Sequence, residues 1–323
     1  MVDENYDEET EYSNWKQNAV LLYDFLRCNR IDWPSMTCEW IYSEKDEVDK
    51  IIIGTTTPPD VYVYDTHRFT RRPLRLVGQR KEGYGISWRR DAEQLLTASY
   101  DGCVYLWNID IHQDEASVNY TTIFRAHTKE VGGVDWNKKS DSIFASVGDD
   151  KNLFLWDTRV SRSNEPVNQV KDAHDDAINC VAFHPNYDNF LVTAGVDKMI
   201  LVWDTRNLSK ELSVLEGHDT QVNVLRWCPH KDSVLASSSE NRILIWDLER
   251  AGETQTSEDI KCGIPQLIFS HAGHQEQIYD FAWSPRKMWE MCSTSNDSIV
   301  QLWKPQEDVV NFDADIEFDL EID

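Results

Sequence analysis

HTKEVGGVDWNKKSDSIFASVGDDKNLFLWDTR, residues 127–159, is the stretch that decides the fold of this chain. It opens with His127 and contains three short apolar runs. Ser146 lies in the second run, Asp150 lies in the turn after it, and Trp156 closes the third run. Apolar runs of five or six residues separated by turn residues predict β-strands.

The same template recurs along the chain, with Thr193 in place of the serine in one copy and Gln79 in place of the histidine in another. The further copies cover residues 79–110, 174–206, 218–249 and 274–304. The closing tryptophans are Trp107, Trp156, Trp203, Trp246 and Trp303. A repeat of ~40–45 residues with His and Trp-Asp at fixed positions is typical of a β-propeller, in which each repeat builds one four-stranded blade. The sequence therefore predicts an all-β fold.

A sixth, degenerate repeat precedes these five. MTCEWIY, DKIIIGTTT and VYVYD, within residues 36–65, are predicted to be its first three strands, and PLRLV at 73–77 its outer strand. With this segment, six repeats are visible.

Three segments lie outside the repeats. Residues 1–34 are an acidic N-terminus followed by a predicted α-helix over 11–28, in which Trp15, Ala19, Leu22 and Leu26 recur at helical spacing. We expect this helix to lie on the surface of a propeller that spans 35–305. Polar residues 249–266 are predicted to be an insertion loop. The acidic tail, 306–323, alternates apolar and acidic residues at its end, which favours either a disordered tail or an outer strand that closes the last blade.

Composition narrows the classes of function. The formal net charge of −25, from 57 acidic against 32 basic residues, disfavours direct binding to nucleic acid or anionic membranes and favours basic proteins as partners. The alternative is that this surface only keeps the protein soluble. Seven scattered cysteines without a CxxC pair, and an N-terminus without an apolar signal segment, predict an intracellular protein with reduced thiols.

The His, Ser, Asp and Trp of each repeat resemble the ingredients of a catalytic site. Their recurrence instead indicates a buried hydrogen-bonded chain that each blade needs, because a catalytic set would be required only once. No phosphate loop, nucleophile elbow or metal-ligand spacing is present in the sequence. We therefore predict a protein that is not an enzyme and has no cofactor or metal.

Trp-Asp-Thr-Arg occurs twice, ending in Arg159 and Arg206. One interpretation is that each Arg only pairs with a neighbouring acid. The other is that these boxes resemble those through which propeller receptors dock on cullin-type ubiquitin ligases, so a substrate receptor of such a ligase is an alternative function.

Most of residues 11–305 resembles the histone-binding WD-repeat family of WD40 β-propellers, which includes the retinoblastoma-binding proteins and the small subunit of chromatin assembly factor. The segments that carry the resemblance are EYSNWKQNAVLLYDFL, IDWPSMTCEW, RKEGYGISW, LFLWDTR, KDAHDDAINCVAF, LVWDTRNL, LASSSENRILIWDLERAGE and IFSHAGH. The resemblance implies a nuclear scaffold subunit of nucleosome assembly, deacetylase, remodelling or Polycomb complexes, a monomer within hetero-complexes.

The resemblance also implies two binding sites. A groove between the N-terminal helix and the insertion loop would take a histone H4 helix, lined by Leu21, Leu22, Asp24, Phe25, Glu258, Asp259, Ile264, Pro265 and Phe269. The mouth of the propeller axis would take the basic tail of histone H3 or a similar peptide, with matching positions at Trp33, Pro34, Glu82, Tyr84 and Asn179. Carboxylates and aromatic rings suit Lys and Arg side chains.

The chain also departs from the family. The family has seven blades, and here the second strand of one repeat runs directly into the third strand of the next, near residues 54–60. Either the propeller is smaller or an internal segment is missing, and a nonfunctional incomplete paralogue is a further alternative. Gly132, Gln221 and Asn296 stand where the family has Glu.

Overall fold

The structure is a computed structural model of the 323-residue chain. It describes residues 23–30, 39–41, 50–52, 61–63, 74–89, 94–109, 117–160, 162–253, 264–297 and 299–310.

Five strands precede the first regular repeat. They are β1 (Tyr23–Arg30), β2 (Glu39–Ile41), β3 (Lys50–Ile52), β4 (Val61–Val63) and β5 (Leu74–Val77). The next five are β6 (Ile86–Arg89), β7 (Gln94–Ala98), β8 (Val104–Asn108), β9 (Ser117–Asn119) and β10 (Thr122–Phe124).

The three repeats that follow have four strands each. One comprises β11 (Val131–Trp136), β12 (Ile143–Gly148), β13 (Leu153–Asp157) and β14 (Asn168–Val170). The next comprises β15 (Ile178–Phe183), β16 (Phe190–Gly195), β17 (Ile200–Asp204) and β18 (Ser213–Leu215). The third comprises β19 (Val222–Trp227), β20 (Val234–Ser239), β21 (Arg242–Asp247) and β22 (Leu267–His271), with a 3-10 helix at Leu248–Arg250.

The last strands are β23 (Ile278–Trp283), β24 (Met291–Ser295) and β25 (Ile299–Pro305), followed by a short helix, α1 (Glu307–Val310).

Five antiparallel sheets of four strands form the propeller in the described part of the chain. In order along the chain, the first blade is β6-β7-β8-β10, the second β11-β12-β13-β14, the third β15-β16-β17-β18, the fourth β19-β20-β21-β22 and the fifth β23-β24-β25-β1. The innermost strands of the second to fifth blades coincide with the apolar runs VGGVDW, INCVAF, VNVLRW and IYDFAW, which the strand pattern predicts. The all-β propeller fold is therefore confirmed.

The outer strand of the fifth blade comes from the other end of the chain. β1 pairs antiparallel with β25 along its length, from Tyr23 opposite Pro305 to Arg30 opposite Ile299. The helix predicted over 11–28 is therefore wrong from Tyr23 onwards, while residues 11–22 lie outside the described residues. Helical spacing is a weak preference, and the open edge of β25 offers a row of backbone hydrogen bonds that a strand satisfies.

This pairing also bears on the acidic tail. β1 occupies the edge of β25 that the tail would need to close the last blade. The alternative in which the tail supplies that strand is therefore wrong. Residues 311–323 themselves lie outside the described residues.

The degenerate first repeat does not form one sheet in the described part of the chain. β2 pairs with β3 in a two-stranded sheet, and β4 pairs with β5, which in turn pairs parallel with β9. The prediction that 36–65 and 73–77 form a single blade is wrong. The break between β3 and β4 falls at the junction near 54–60, as expected where the first half of one repeat meets the second half of another.

A buried polar chain links the strands of each blade. In the second blade, Trp156 Nε1 donates to Ser146 Oγ over 2.8 Å, Ser146 Oγ lies 2.8 Å from His127 Nε2, and His127 Nδ1 lies 2.9 Å from Asp150. Burial opposes the ionised form of Asp150, but hydrogen bonds from His127 and the Thr128 amide lower its pKa. The template residues therefore build the blade, as the sequence predicts.

The other blades vary this chain. The third blade uses Thr193 in place of serine, with hydrogen bonds of 2.8 Å from Trp203 and 2.7 Å to His174. In the fourth blade, His218 lies between two serine hydroxyls, 2.6 Å from Ser237 and 2.8 Å from Ser239. Among the described residues no carboxylate takes part there, and burial lowers the pKa of His218 to about 4.

Candidate functional site

The inner strands of all five blades surround a cavity of about 610 Å³ on the propeller axis. Its lining comes from the starts of β6, β11, β15, β19 and β23. We call the end of this cavity at which the inner strands begin the mouth.

In the second to fifth blades, a β-bulge places one residue of the inner strand against the cavity. The pairing of the first two strands shifts register between Val131 and Gly133 in the second blade, and the same shift recurs in the next three blades. The bulged residues are Gly132, Asn179, Asn223 and Tyr279. All four line the axial cavity, because a bulge turns its extra residue out of the regular alternation of the strand.

One side of the mouth is acidic and aromatic. Tyr84 of the first blade packs edge-on against Tyr100, with ring centroids 5.4 Å apart. The pKa of Tyr100 is raised, first by burial and then by Tyr84, Asp149, Glu130 and Glu82. Burial and the neighbouring Glu130 carboxylate also raise the pKa of Asp149. Three carboxylates therefore lie close together around two tyrosine rings.

The structure brings together three of the residues predicted for the mouth. Tyr84, which is 38% exposed, and Asn179 line the axial cavity, and Glu82 is near enough to raise the pKa of Tyr84 after burial. Trp33 and Pro34 lie outside the described residues.

Two acids that the sequence pattern does not single out, Glu130 and Asp149, complete this side. Glu130 directly precedes β11, and Asp149 lies in the turn after β12. The backbone amide of Asp149 donates to the Glu130 carbonyl over 2.9 Å, which fixes the two residues beside each other. The position of Glu130 in its repeat could have indicated this site. The residue directly before the inner strand also lines the cavity in the next three blades, at Ala177, Gln221 and Gln277.

Gly132 marks a close approach between two blades. A Cβ atom at this position would lie 2.8 Å from the Ile178 carbonyl oxygen and 3.1 Å from that of Asn179. No side chain fits there without moving β15. The close packing of the second blade on the third therefore excludes an acidic side chain at this position.

The residues predicted for the helix groove are only partly described. Asp24 and Phe25 lie on strand β1 rather than on a helix, and Ile264 and Pro265 lie in the turn before β22. Phe269 is 6% exposed and belongs to a buried cluster with Trp303, so it is a core residue and not an exposed wall of a groove. Leu21, Leu22, Glu258 and Asp259 lie outside the described residues.

The described strands that follow the two predicted walls belong to adjacent blades. β1 is the outer strand of the fifth blade, and the insertion loop enters β22, the outer strand of the adjacent fourth blade. Helix α1 packs on β22, with Val310 buried in the same cluster as Phe269. The described ends of the two predicted walls, β1 and the turn before β22, therefore belong to the outer strands of adjacent blades.

Arg159 and Arg206 have the same conformation in neighbouring blades. Each guanidinium donates to the Asp two residues earlier, with the shortest contact 2.6 Å in both cases, to Asp157 and Asp204. The hydrogen bond from Arg159 holds the pKa of Asp157 at about 2. Both arginine side chains remain largely exposed.

The polar groups that resemble catalytic sets are engaged in the blades. Among the residues that the structure describes, no group of three or more His, Cys, Asp or Glu side chains is placed to hold a metal ion. Within the same residues, no helix has the length and apolar character needed to cross a membrane.

Comparison with known proteins agrees with this architecture. The model for the WD domain, or G-beta repeat, matches residues 81–108, 118–157, 165–204, 209–247 and 265–304, which together exceed half of the chain. The chain belongs to the WD-repeat family. The later matches each begin at or just before the outer strand of one blade and end with the third strand of the next, so consecutive repeats interlock neighbouring blades.

The N-terminal segment matches a second model. Residues 10–61 match the family of the histone-binding protein RBBP4, which is also described as the C subunit of the CAF1 complex. The combination of the two matches is that of the histone-binding WD-repeat family, which confirms the resemblance seen in the sequence. Among solved structures, the WD40 β-propeller domain of Doa1 is similar with a TM-score of 0.65 and 17% identity, covering 89% of this chain and 81% of that one. At this identity the similarity shows the fold alone.

Proposed function

We propose that this WD-repeat protein is a non-enzymatic scaffold that binds histones H3 and H4. The observation that carries the proposal is the match of residues 10–61 to the histone-binding model in a chain whose propeller mouth is acidic and aromatic. The net charge of −25 supports it, because a surface of that charge attracts basic proteins and accelerates their association.

The mouth is proposed to take the basic tail of H3 or a similar peptide. Glu82, Glu130 and Asp149 offer carboxylates for charge-assisted hydrogen bonds, and Tyr84 and Tyr100 offer ring faces for a cation. Burial and then repulsion from Glu130 raise the pKa of Asp149, and a bound Lys or Arg would relieve that repulsion.

The rim between the fourth and fifth blades is proposed to take the H4 helix. The segment before β1 and the insertion loop would form its two walls, with Leu21, Leu22, Glu258 and Asp259 among the contacting residues. The topology supports this, because both segments lead into outer strands of adjacent blades. Such a protein would act in the nucleus as a subunit of chromatin assembly, deacetylase, remodelling or Polycomb complexes.

Two sets of variants test these sites separately. Leu21→Asp and Glu258→Lys are expected to reduce retention of an H4 helix peptide, and Glu130→Gln with Asp149→Asn to reduce retention of an H3 tail peptide. Glu216→Lys, at an exposed acid directly after the outer strand of the third blade, is the matched charge control. Full retention of the H4 peptide by both groove variants would contradict the groove, and full retention of the H3 peptide by the mouth variant would contradict the mouth.

A second candidate function is that of a substrate receptor of a cullin-type ubiquitin ligase. It is favoured by the identical, exposed arrangement of Arg159 and Arg206 on two neighbouring blades. Its test is the double variant Arg159→Ala and Arg206→Ala, which should abolish binding to the ligase adaptor. Unchanged adaptor binding would eliminate this function.

A further inference from the structure

A second pocket, of about 480 Å³, lies beside the mouth between the fourth and fifth blades. Six of its lining residues are carboxamides: Gln221, Asn223, Asn241, Gln275, Gln277 and Asn296. We call it the amide pocket. Gln221, Asn223 and Gln277 also line the axial cavity, so the two spaces adjoin through these side chains.

The chemistry of the amide pocket limits what it can bind. Its described lining contains Glu240 and Glu276 but no Lys, Arg or aromatic ring. Without a basic residue the pocket cannot neutralise the negative charge of a phosphate or carboxylate. Its polar walls also provide little apolar contact area for an apolar ligand. A carboxamide presents both donors and an acceptor, which is the pattern of the peptide group itself. The lining therefore suits the N–H and C=O groups of a polypeptide main chain.

Asn223 supplies the donor that points to such a ligand. Its equivalent in the third blade, Asn179, occupies the same bulge, and its Nδ2 donates to the Val222 carbonyl of the next blade over 2.9 Å. Asn223 Nδ2 is buried and has no hydrogen-bond partner among the described residues. The hydroxyl of Thr220, on the same wall, is also buried without a partner within that part of the chain. Buried polar groups of this kind are unfavourable unless something pairs with them.

Asn296, another carboxamide of this lining, is already held in place. It accepts a hydrogen bond from the Tyr279 hydroxyl over 3.1 Å and donates to Glu276 over 3.5 Å. Tyr279 in turn is close enough to Tyr84 to contribute to the raised pKa of that tyrosine. The acidic side of the mouth and the amide pocket therefore border the same axial cavity.

We infer that the amide pocket binds the main chain of an extended peptide whose basic side chain lies among Glu82, Glu130 and Asp149. The peptide's backbone carbonyl accepts from Asn223 Nδ2, and neighbouring carboxamides pair with its remaining N–H and C=O groups. Selection for a basic residue then resides on the acidic side of the mouth, while the amide pocket holds the chain without regard to its side chains. This inference rests on the proposed function of the mouth.

The test compares two synthetic probes on the whole 323-residue chain. One is a short peptide rich in Arg and Lys, and the other carries the same side chains on a backbone with ester links in place of successive amides. An ester lacks the N–H donor and is a weaker acceptor, so the ester probe should bind more weakly to the wild-type protein.

Asn223→Leu is the deciding variant, because it replaces the unpartnered carboxamide with an apolar group of similar size. It is expected to weaken the amide peptide by about tenfold, the effect of losing one or two hydrogen bonds, and to weaken the ester probe by much less, because an ester carbonyl is the weaker acceptor. Asn168→Leu, on the outer strand of the second blade, is the matched control and should change neither affinity. Thermal unfolding of each variant checks that it is folded.

The outcomes separate this inference from the proposed function. If Glu130→Gln weakens both probes but Asn223→Leu weakens neither, the mouth binds basic side chains and the role of the amide pocket is refuted. If wild-type protein binds neither probe, both proposals fail. A poorly folded Asn223→Leu variant is replaced by Gln277→Leu, for which the same selective loss of the amide peptide is expected and its absence refutes the inference.

Discussion

At the scale of single residues, the structure separates side chains that build blades from side chains that are available to a partner. The Ser146 hydroxyl accepts from Trp156 and bonds to His127, so it is fully engaged inside the second blade. The Asn223 amide, by contrast, lies at the axis with an unpaired donor among the described residues. Both residues are polar positions in a strand, so the sequence does not tell them apart. Their hydrogen-bond partners show which one stabilises a blade and which one is available to a ligand.

Removing the Ser146 hydroxyl should destabilise the protein. Ser146→Ala leaves the Trp156 and His127 ring nitrogens without their shared partner in a buried site, and we expect a loss of about 2–4 kcal/mol in the free energy of unfolding. Urea denaturation measures it, with the exposed Ser209→Ala as the control. A loss equal to that of the control would show that the chain of hydrogen bonds is not stabilising.

His218 predicts a pH dependence of stability. Its pKa is about 4 in the folded protein, because it is buried without a carboxylate partner among the described residues, against ~6.5 in the unfolded chain. Between these two pKa values the imidazole is protonated in the unfolded state but neutral in the folded state. The free energy of unfolding therefore falls as the pH drops from ~6.5 to ~4, by about 3 kcal/mol. His218→Gln should show a smaller fall across this window in chemical denaturation. An equal fall in both proteins would contradict the assignment.

Gly132 should tolerate no side chain. A methyl group there meets two backbone carbonyl oxygens of the third blade, and Gly132→Ala is expected to destabilise the protein by about 1–3 kcal/mol. Denaturation midpoints measure the effect. A neutral substitution would mean that the second and third blades can move apart at the axis without cost, against the close packing of β11 on β15.

At the scale of elements, the regular strands follow from local sequence and the terminal ones do not. The second to fifth inner strands have the bounds that their apolar runs and flanking turns predict. The strand character of Tyr23–Arg30 depends on a partner about 275 residues away in sequence, β25, which no local pattern encodes. Long-range pairing overrides helical spacing in that segment.

The β1–β25 pairing should hold the propeller together. Proline at Leu26, which lies opposite Trp303, removes a backbone donor and is disfavoured inside a strand. We expect Leu26→Pro to lower the thermal unfolding midpoint and to increase protease cleavage of the fifth blade. Thr10→Pro, which precedes the strand in sequence, is the control, and equal behaviour of the two variants would contradict closure through β1.

At the scale of the whole molecule, the sequence predicts the repeat architecture and the acidic character of the partner surface. The sequence does not predict which acidic side chains lie next to one another in the folded protein. Glu130 and Asp149 belong to a strand start and a turn that become neighbours only through the pairing of β11 with β12. The split of the degenerate repeat into β2–β3 and β4–β5–β9 likewise involves a long-range partner, since β5 pairs with β9 of the following repeat.

Selective histone binding is tested most directly by calorimetric titration at physiological ionic strength. The whole chain is titrated with purified H3–H4 and, separately, with the dimer of the other two core histones. Both histone pairs are basic, so attraction to a protein of net charge −25 alone would favour both. We expect saturable binding of H3–H4, weakened by Glu130→Gln with Asp149→Asn, and much weaker binding of the other dimer. Absence of H3–H4 binding by the folded protein, or equal affinity for both pairs, would contradict selective histone binding.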